Sequence, residues 1–180
     1  MKIGRFILPI LLAGCLSYSG CQANQTPSGT PVIVLRAIGG HSLEVLPEGG
    51  SATQTARLLG ISAPSLEQEP WGKAAKEALE QQVKGKTVIL EYDREKEDRY
   101  QRQLVYVWHE EQLINEEMVK QGYALAEEWF PNTRYSQRLQ YAGQRARILE
   151  LGIWNTDNPM GLTPQQFRRQ TSPSTQKSSP

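Results

Sequence analysis

The 180-residue chain has two cysteines, Cys15 and Cys21, and both lie at its start. No disulfide and no thiolate metal site can form beyond Cys21. Histidine is equally scarce. His41 and His109 are far apart in sequence, and no cysteine or aspartate cluster completes a zinc-type site around either. The chain also lacks an excess of charge. Twenty Lys and Arg face 19 Asp and Glu, for a formal +1. A nucleic-acid binder that grips phosphates with its whole surface carries a basic excess. Any phosphate binding here must come from a local patch.

Long hydrophobic runs are missing too. Phe6 to Ala13 is apolar but is interrupted by Pro9, and it is too short to span a bilayer. With Lys2 and Arg5 before it, this stretch reads as a secretory signal. Leu12-Ala13-Gly14-Cys15 has the form of a bacterial lipobox, and Tyr18-Ser19-Gly20-Cys21 is a second candidate. Lipidation at Cys15 or Cys21 would anchor the protein to a membrane of the cell envelope. Simple secretion is the alternative. Loss of the signal, with Lys2 and Arg5, would take the formal charge from +1 to −1.

What remains divides by composition. Residues 1–21 form the signal and lipobox region, and 22–31 a polar tether with Pro27, Gly29 and Pro31. Residues 32–158 form one domain. Residues 159–180 are rich in Gln, Ser, Thr and Pro and read as a disordered tail, with Phe167-Arg168-Arg169 its one notable cluster.

Within the domain, strands are expected over 32–38, 42–46, 53–61, 87–92 and 103–108 from their β-branched and apolar content. Gly39-Gly40 marks the first turn. Helices are expected over 72–83, over 115–120 with Asn115 as cap, and over 134–151, stopped by Gly152. Five short strands with helical cover suit an α+β fold, a five-stranded OB-type β-barrel with three helices.

Four runs stand in register with a known pattern. Arg57-Leu58-Leu59-Gly60-Ile61-Ser62-Ala63-Pro64-Ser65 is the first and most informative. The others are Asp98 to Leu104, Asn115 to Ala124, and Leu151-Gly152-Ile153-Trp154. Together they resemble the staphylococcal nuclease (thermonuclease) family, over about 32–154. The family cleaves phosphodiesters of DNA and RNA with calcium. The resemblance implies that Arg57 and Arg102 are its two phosphate-clamping arginines, suited to this by a planar, permanently charged fork.

The resemblance also implies what is missing. Ser62 stands where the family has a metal-binding Asp, and Ser65 where it has the general-base Glu. His41 stands at a calcium-ligand Asp of the first turn, and only the Ala63 carbonyl is left among the expected ligands. Calcium prefers oxygen, and imidazole serves it poorly. Glu67 and Glu69, just past Ser65, are candidate replacement bases. Gln101 stands in place of a Gly beside Arg102, which bears on the aim of that arginine.

Three functions follow. The barrel can bind a phosphate-bearing or other anionic ligand without cutting it, with Tyr123, Trp129, Tyr135 and Tyr141 as candidate stacking partners for single-stranded nucleic acid. It can be a metal-dependent nuclease with a rearranged site. Or it can be a non-catalytic protein adaptor at the membrane surface. No cofactor is certain: calcium is the family's ion, but its ligands are largely gone.

Overall fold

A computed structural model describes residues 27–171, so Cys15, Cys21 and the signal region lie outside the described residues. Five principal strands build the molecule. They are β1 (Thr30–Gly39), β2 (Ser42–Pro47), β3 (Gln54–Leu58), β5 (Thr87–Glu91) and β6 (Gln103–His109). Short strands β4 (Ile61–Ser62), β7 (Gln112–Leu113) and β8 (Leu125–Ala126) accompany them. The order β3-β2-β1-β5-β6 is antiparallel throughout, and a parallel pairing of β3 with β6 closes it. The result is a closed five-stranded barrel, which leaves none of the five as an open edge.

Apolar side chains fill the barrel. Val32, Val34, Leu43, Val45, Leu58, Leu90, Val105 and Val107 are buried and fill it. β1 is longer than expected at its start: Thr30 and Pro31, read above as tether, pair with Leu90 and Ile89 of β5. Proline is tolerated there, near the strand's end. The third predicted strand is broken at Gly60, whose φ of +73° makes a turn between β3 and β4. A side chain there would also strike Leu139 at 2.4 Å.

Helices α1 (Trp71–Val83), α2 (Ile114–Lys120) and α3 (Ser136–Ile148) cover the barrel. α1 packs on β1, and α2 on β6 and α3. The expected cap of α2 is corrected. Asn115 lies inside the helix and is fully buried. It accepts from the Val107 amide at 2.8 Å and donates to the Leu59 carbonyl at 2.8 Å. It therefore ties α2 to β6 and to the end of β3, and a buried polar group satisfied this way outweighs a cap at the helix end. Buried Glu91, the last residue of β5, plays a similar part. It accepts from Trp108 Nε1 at 2.7 Å and Tyr135 Oη at 2.9 Å, and pairs with Arg134, fixing the start of α3.

A fourth helix, α4 (Pro164–Thr171), occupies part of the segment read as a disordered tail. The physical reason is local. Thr163 Oγ1 accepts from the Gln166 amide at 3.2 Å, and Gln166 Oε1 accepts from the Thr163 amide at 2.8 Å. This reciprocal capping box, with proline in the first helical position, satisfies the free amides of the first turn.

Candidate phosphate-binding site

Main-chain pairing brings the site residues together. Arg57 on β3 stands opposite Ser42 on β2 and Leu104 on β6. Arg102 immediately precedes β6, one residue before the Gln103–Ala56 pair. His41 sits in the β1–β2 turn, where its carbonyl accepts from the Leu58 amide at 2.9 Å. Gly40 lets that turn approach closely: a β-carbon there would lie 2.6 Å from Ala75 and 2.7 Å from Ala63. Arg57, Arg102 and His41 thus lie at one end of the barrel.

Arg57 is only 4% exposed. Its guanidinium donates to the Leu58 carbonyl and, at 2.8 Å, to the Ile61 carbonyl. Its carbon lies 5.2 Å from the centre of the Trp129 ring. Burial, and then the charge of Arg102, pushes its pKa down to about 9, so it stays cationic at neutral pH. Glu127 and Asp98 act the other way. Arg57 is therefore also a structural clamp on the β3–β4 turn, a role not legible in its motif.

Arg102 is aimed by Asp98, whose Oδ2 accepts from its Nε at 2.7 Å. Burial works to raise the Asp98 carboxyl, but the Arg102 hydrogen bond takes it below the ordinary range. The turn between them survives the glutamine at position 101. Gln101 adopts a left-handed φ of 62°, and its amide donates to the Asp98 carbonyl at 3.0 Å. Tyr100, 63% exposed, lies beside Arg99 and Arg102.

His41 Nδ1 accepts from the Ala63 amide at 3.1 Å, which leaves the ring proton of the neutral form on Nε2. Its pKa lies well below the ordinary value through burial, then through the charges of Arg57, Arg168 and Arg102. Ser62 is buried. Ser65 Oγ is buried and has no hydrogen-bond partner. Among the described residues no three His, Cys, Asp or Glu side chains converge.

The other expected residues distribute unevenly. Glu67 and Glu69 are exposed, and Glu69 lines a surface groove with Lys73 and Glu77. The carboxylates that act on Arg57 are instead Glu127, which the sequence did not single out, and Asp98, which opens the second family run. Glu127 follows β8, whose pairing with β4 carries it there. Of the four expected stacking aromatics, Tyr135 is packed edge-on against Tyr106 and Trp108. Tyr123 is partly buried against the core. Trp129 gives a face to Arg57, and Tyr141 is exposed on α3. Tyr100, two residues before Arg102, is an exposed aromatic beside a site arginine. His109 ends β6.

Residues 55–156 match the family model described as "Staphylococcal nuclease homologue". The chain belongs to the staphylococcal nuclease family. It is 33% identical over 127 residues to the thermonuclease of Staphylococcus hyicus, covering 68% of this chain and 74% of that protein. It is 32% identical over 131 residues to the thermonuclease of Staphylococcus intermedius, covering 70% and 77%. A protein of Haemophilus influenzae described as an uncharacterized endonuclease is 35% identical over 137 residues, covering 76% and 72%. The barrel, with Arg57 and Arg102 at one end, is thus a staphylococcal-nuclease-like domain.

Proposed function

We propose that this protein binds phosphate-bearing ligands, single-stranded nucleic acid foremost, and does not cleave them. The observation that carries the reading is the pairing of two positioned arginines with serines where hydrolysis requires carboxylates. Fixed guanidinium groups neutralise phosphate oxygens. Hydrolysis needs in addition a base for the attacking water, and Ser65 cannot act as one near neutral pH. A calcium ion needs several oxygen ligands, with carboxylates among them. His41, Ser62 and Ala63 supply one imidazole, one hydroxyl and one main-chain carbonyl, with no carboxylate among them, and the nearby cations oppose a further one. The residues present do not fit calcium.

The names of relatives support a nucleic-acid ligand: two are thermonucleases and a third is called an endonuclease. The signal-like N-terminus with Cys15 or Cys21 supports lipid anchoring in the bacterial envelope, which would place the barrel at a membrane surface. A protein-adaptor role there is separated from ligand binding by the salt dependence that phosphate contacts impose.

The test is a cleavage assay on single-stranded DNA and RNA with calcium, manganese or chelator, using Arg102→Ala as the contamination control. Cleavage no greater than that of the variant is expected under all three conditions. Metal-dependent cleavage that disappears in Arg102→Ala would instead establish a working nuclease, with Glu127 the first residue to test as its base.

A further inference from the structure

Helix α3 buries Leu139, Ala142 and Ala146 and packs against α2 and β8. Its outer side is unusual. Gln137, Arg138, Tyr141, Arg145, Ile148 and Leu149 are all exposed, and their spacings of three, four and seven put them on one face of the helix. Ile148 is 80% exposed, Tyr141 60% and Leu149, at the C-cap, 50%. The helix carries Arg138, Arg145 and Arg147 and has no acidic residue. Large apolar side chains thus stand in water among cations.

The same face borders a groove of about 420 Å³ between α2 and α3. Lys120, Arg138, Tyr141 and Arg145 line it, with Glu116 as its carboxylate. Glu116 accepts from Arg138 Nε at 2.8 Å, and Lys120 pairs with Glu117 at 2.9 Å. Among the described residues no carboxylate pairs with Arg145. The groove therefore keeps one cation without an acid, next to a phenol ring.

We propose that this face of α3 rests on an anionic phospholipid surface. Arg145 meets headgroup phosphates at the mouth of the groove, and Tyr141, Ile148 and Leu149 enter the interfacial layer. Such a surface is the partner that uses both halves of the pattern. Its phosphates draw cations, and its acyl boundary takes apolar side chains out of water. Tyrosine suits that boundary, with an apolar ring and a polar tip. Nucleic acid would use the arginines and Tyr141, but it would give the aliphatic Ile148 and Leu149 no ring to stack with.

Topology supports the orientation. Thr30 at the start of β1 pairs with Leu90, and the next residue of β5, Glu91, accepts from Tyr135 at the start of α3. The chain before Thr30 leaves the barrel beside α3. A lipid on Cys15 or Cys21 would hold that end at the membrane, but the α3 contact does not require one. It also stands apart from the Arg57–Arg102 reading.

The test uses the full chain with bicelles of phosphatidylcholine, alone or mixed with phosphatidylglycerol, containing a trace of nitroxide-labelled lipid that broadens nearby resonances. With the anionic mixture, the Ile148 methyl and Tyr141 ring signals are expected to broaden more than the methyls of Ile33 and Leu66, which are also exposed. An N-terminal segment that merely holds the domain near lipid would broaden all four alike. The Tyr141 broadening is expected to fall about fivefold in Arg145→Gln and in Ile148→Gln. It should persist in Lys73→Gln, which removes an exposed charge from α1.

Equal broadening at all four residues would overturn the proposal. So would equal effects of neutral and anionic bicelles, or a Tyr141 signal that responds alike in Arg145→Gln and the wild type. Oligonucleotide binding that weakens in Arg145→Gln, without selective broadening by lipid, would give the face to nucleic acid instead. Each of these results leaves the Arg57–Arg102 reading to its own test.

Discussion

Arg57 and Arg102 share a role by motif but differ as residues. Arg57 is buried, with two guanidinium donors committed to main-chain carbonyls and a ring face against it. Arg102 is partly exposed and held by one carboxylate. Removing Arg57 would cost the fold as well as the site, so Arg102 is the cleaner probe of binding. Gln101 is the strained neighbour. A non-glycine residue in the left-handed region costs about 1–2 kcal/mol. Gln101→Gly should therefore raise unfolding stability by about 1 kcal/mol, read from urea denaturation, without weakening ligand binding. Unchanged or lower stability would mean that the Asp98–Arg102 turn does not carry that strain.

Among the elements, the five strands were legible because each alternates apolar and polar residues or is apolar throughout. The Gly-Gly turn was legible from its glycines, and the Arg57 motif from its family resemblance. Asn115 was misread because an asparagine before a helical run has the signature of a cap, whereas its partners come from β3 and β6, distant in sequence. α4 was hidden by its polar composition, though Thr163-Pro164-Gln165-Gln166 carried the capping signal. Glu127 and Tyr100 left little trace, since what places them beside the arginines is strand pairing and turn geometry. Asn115→Ala would take away the partner of the Val107 amide and of the Leu59 carbonyl in the core. It should destabilise the protein by about 3 kcal/mol, measured as a lower urea midpoint with unchanged slope. A loss under about 1 kcal/mol would mean that this link between α2 and the barrel is dispensable.

Across the whole molecule, the near-neutral charge and the local cluster of arginines describe a protein that does not coat itself with nucleic acid. On the proposed reading it offers one small cationic site, carried by Arg57 and Arg102 at one end of the closed barrel. With serines and a histidine where the family resemblance places acids, the proposed function is a shift at that end from holding a cation to holding an anion.

The most direct measurement is the binding of a labelled single-stranded oligonucleotide to the full chain, with chelator and with calcium, across salt concentrations. The predicted result is equal affinity in both, falling with salt at a slope of about 0.7 for each phosphate contact, and no shortening of the oligonucleotide. Binding that appears only with calcium and is followed by cleavage would contradict the account.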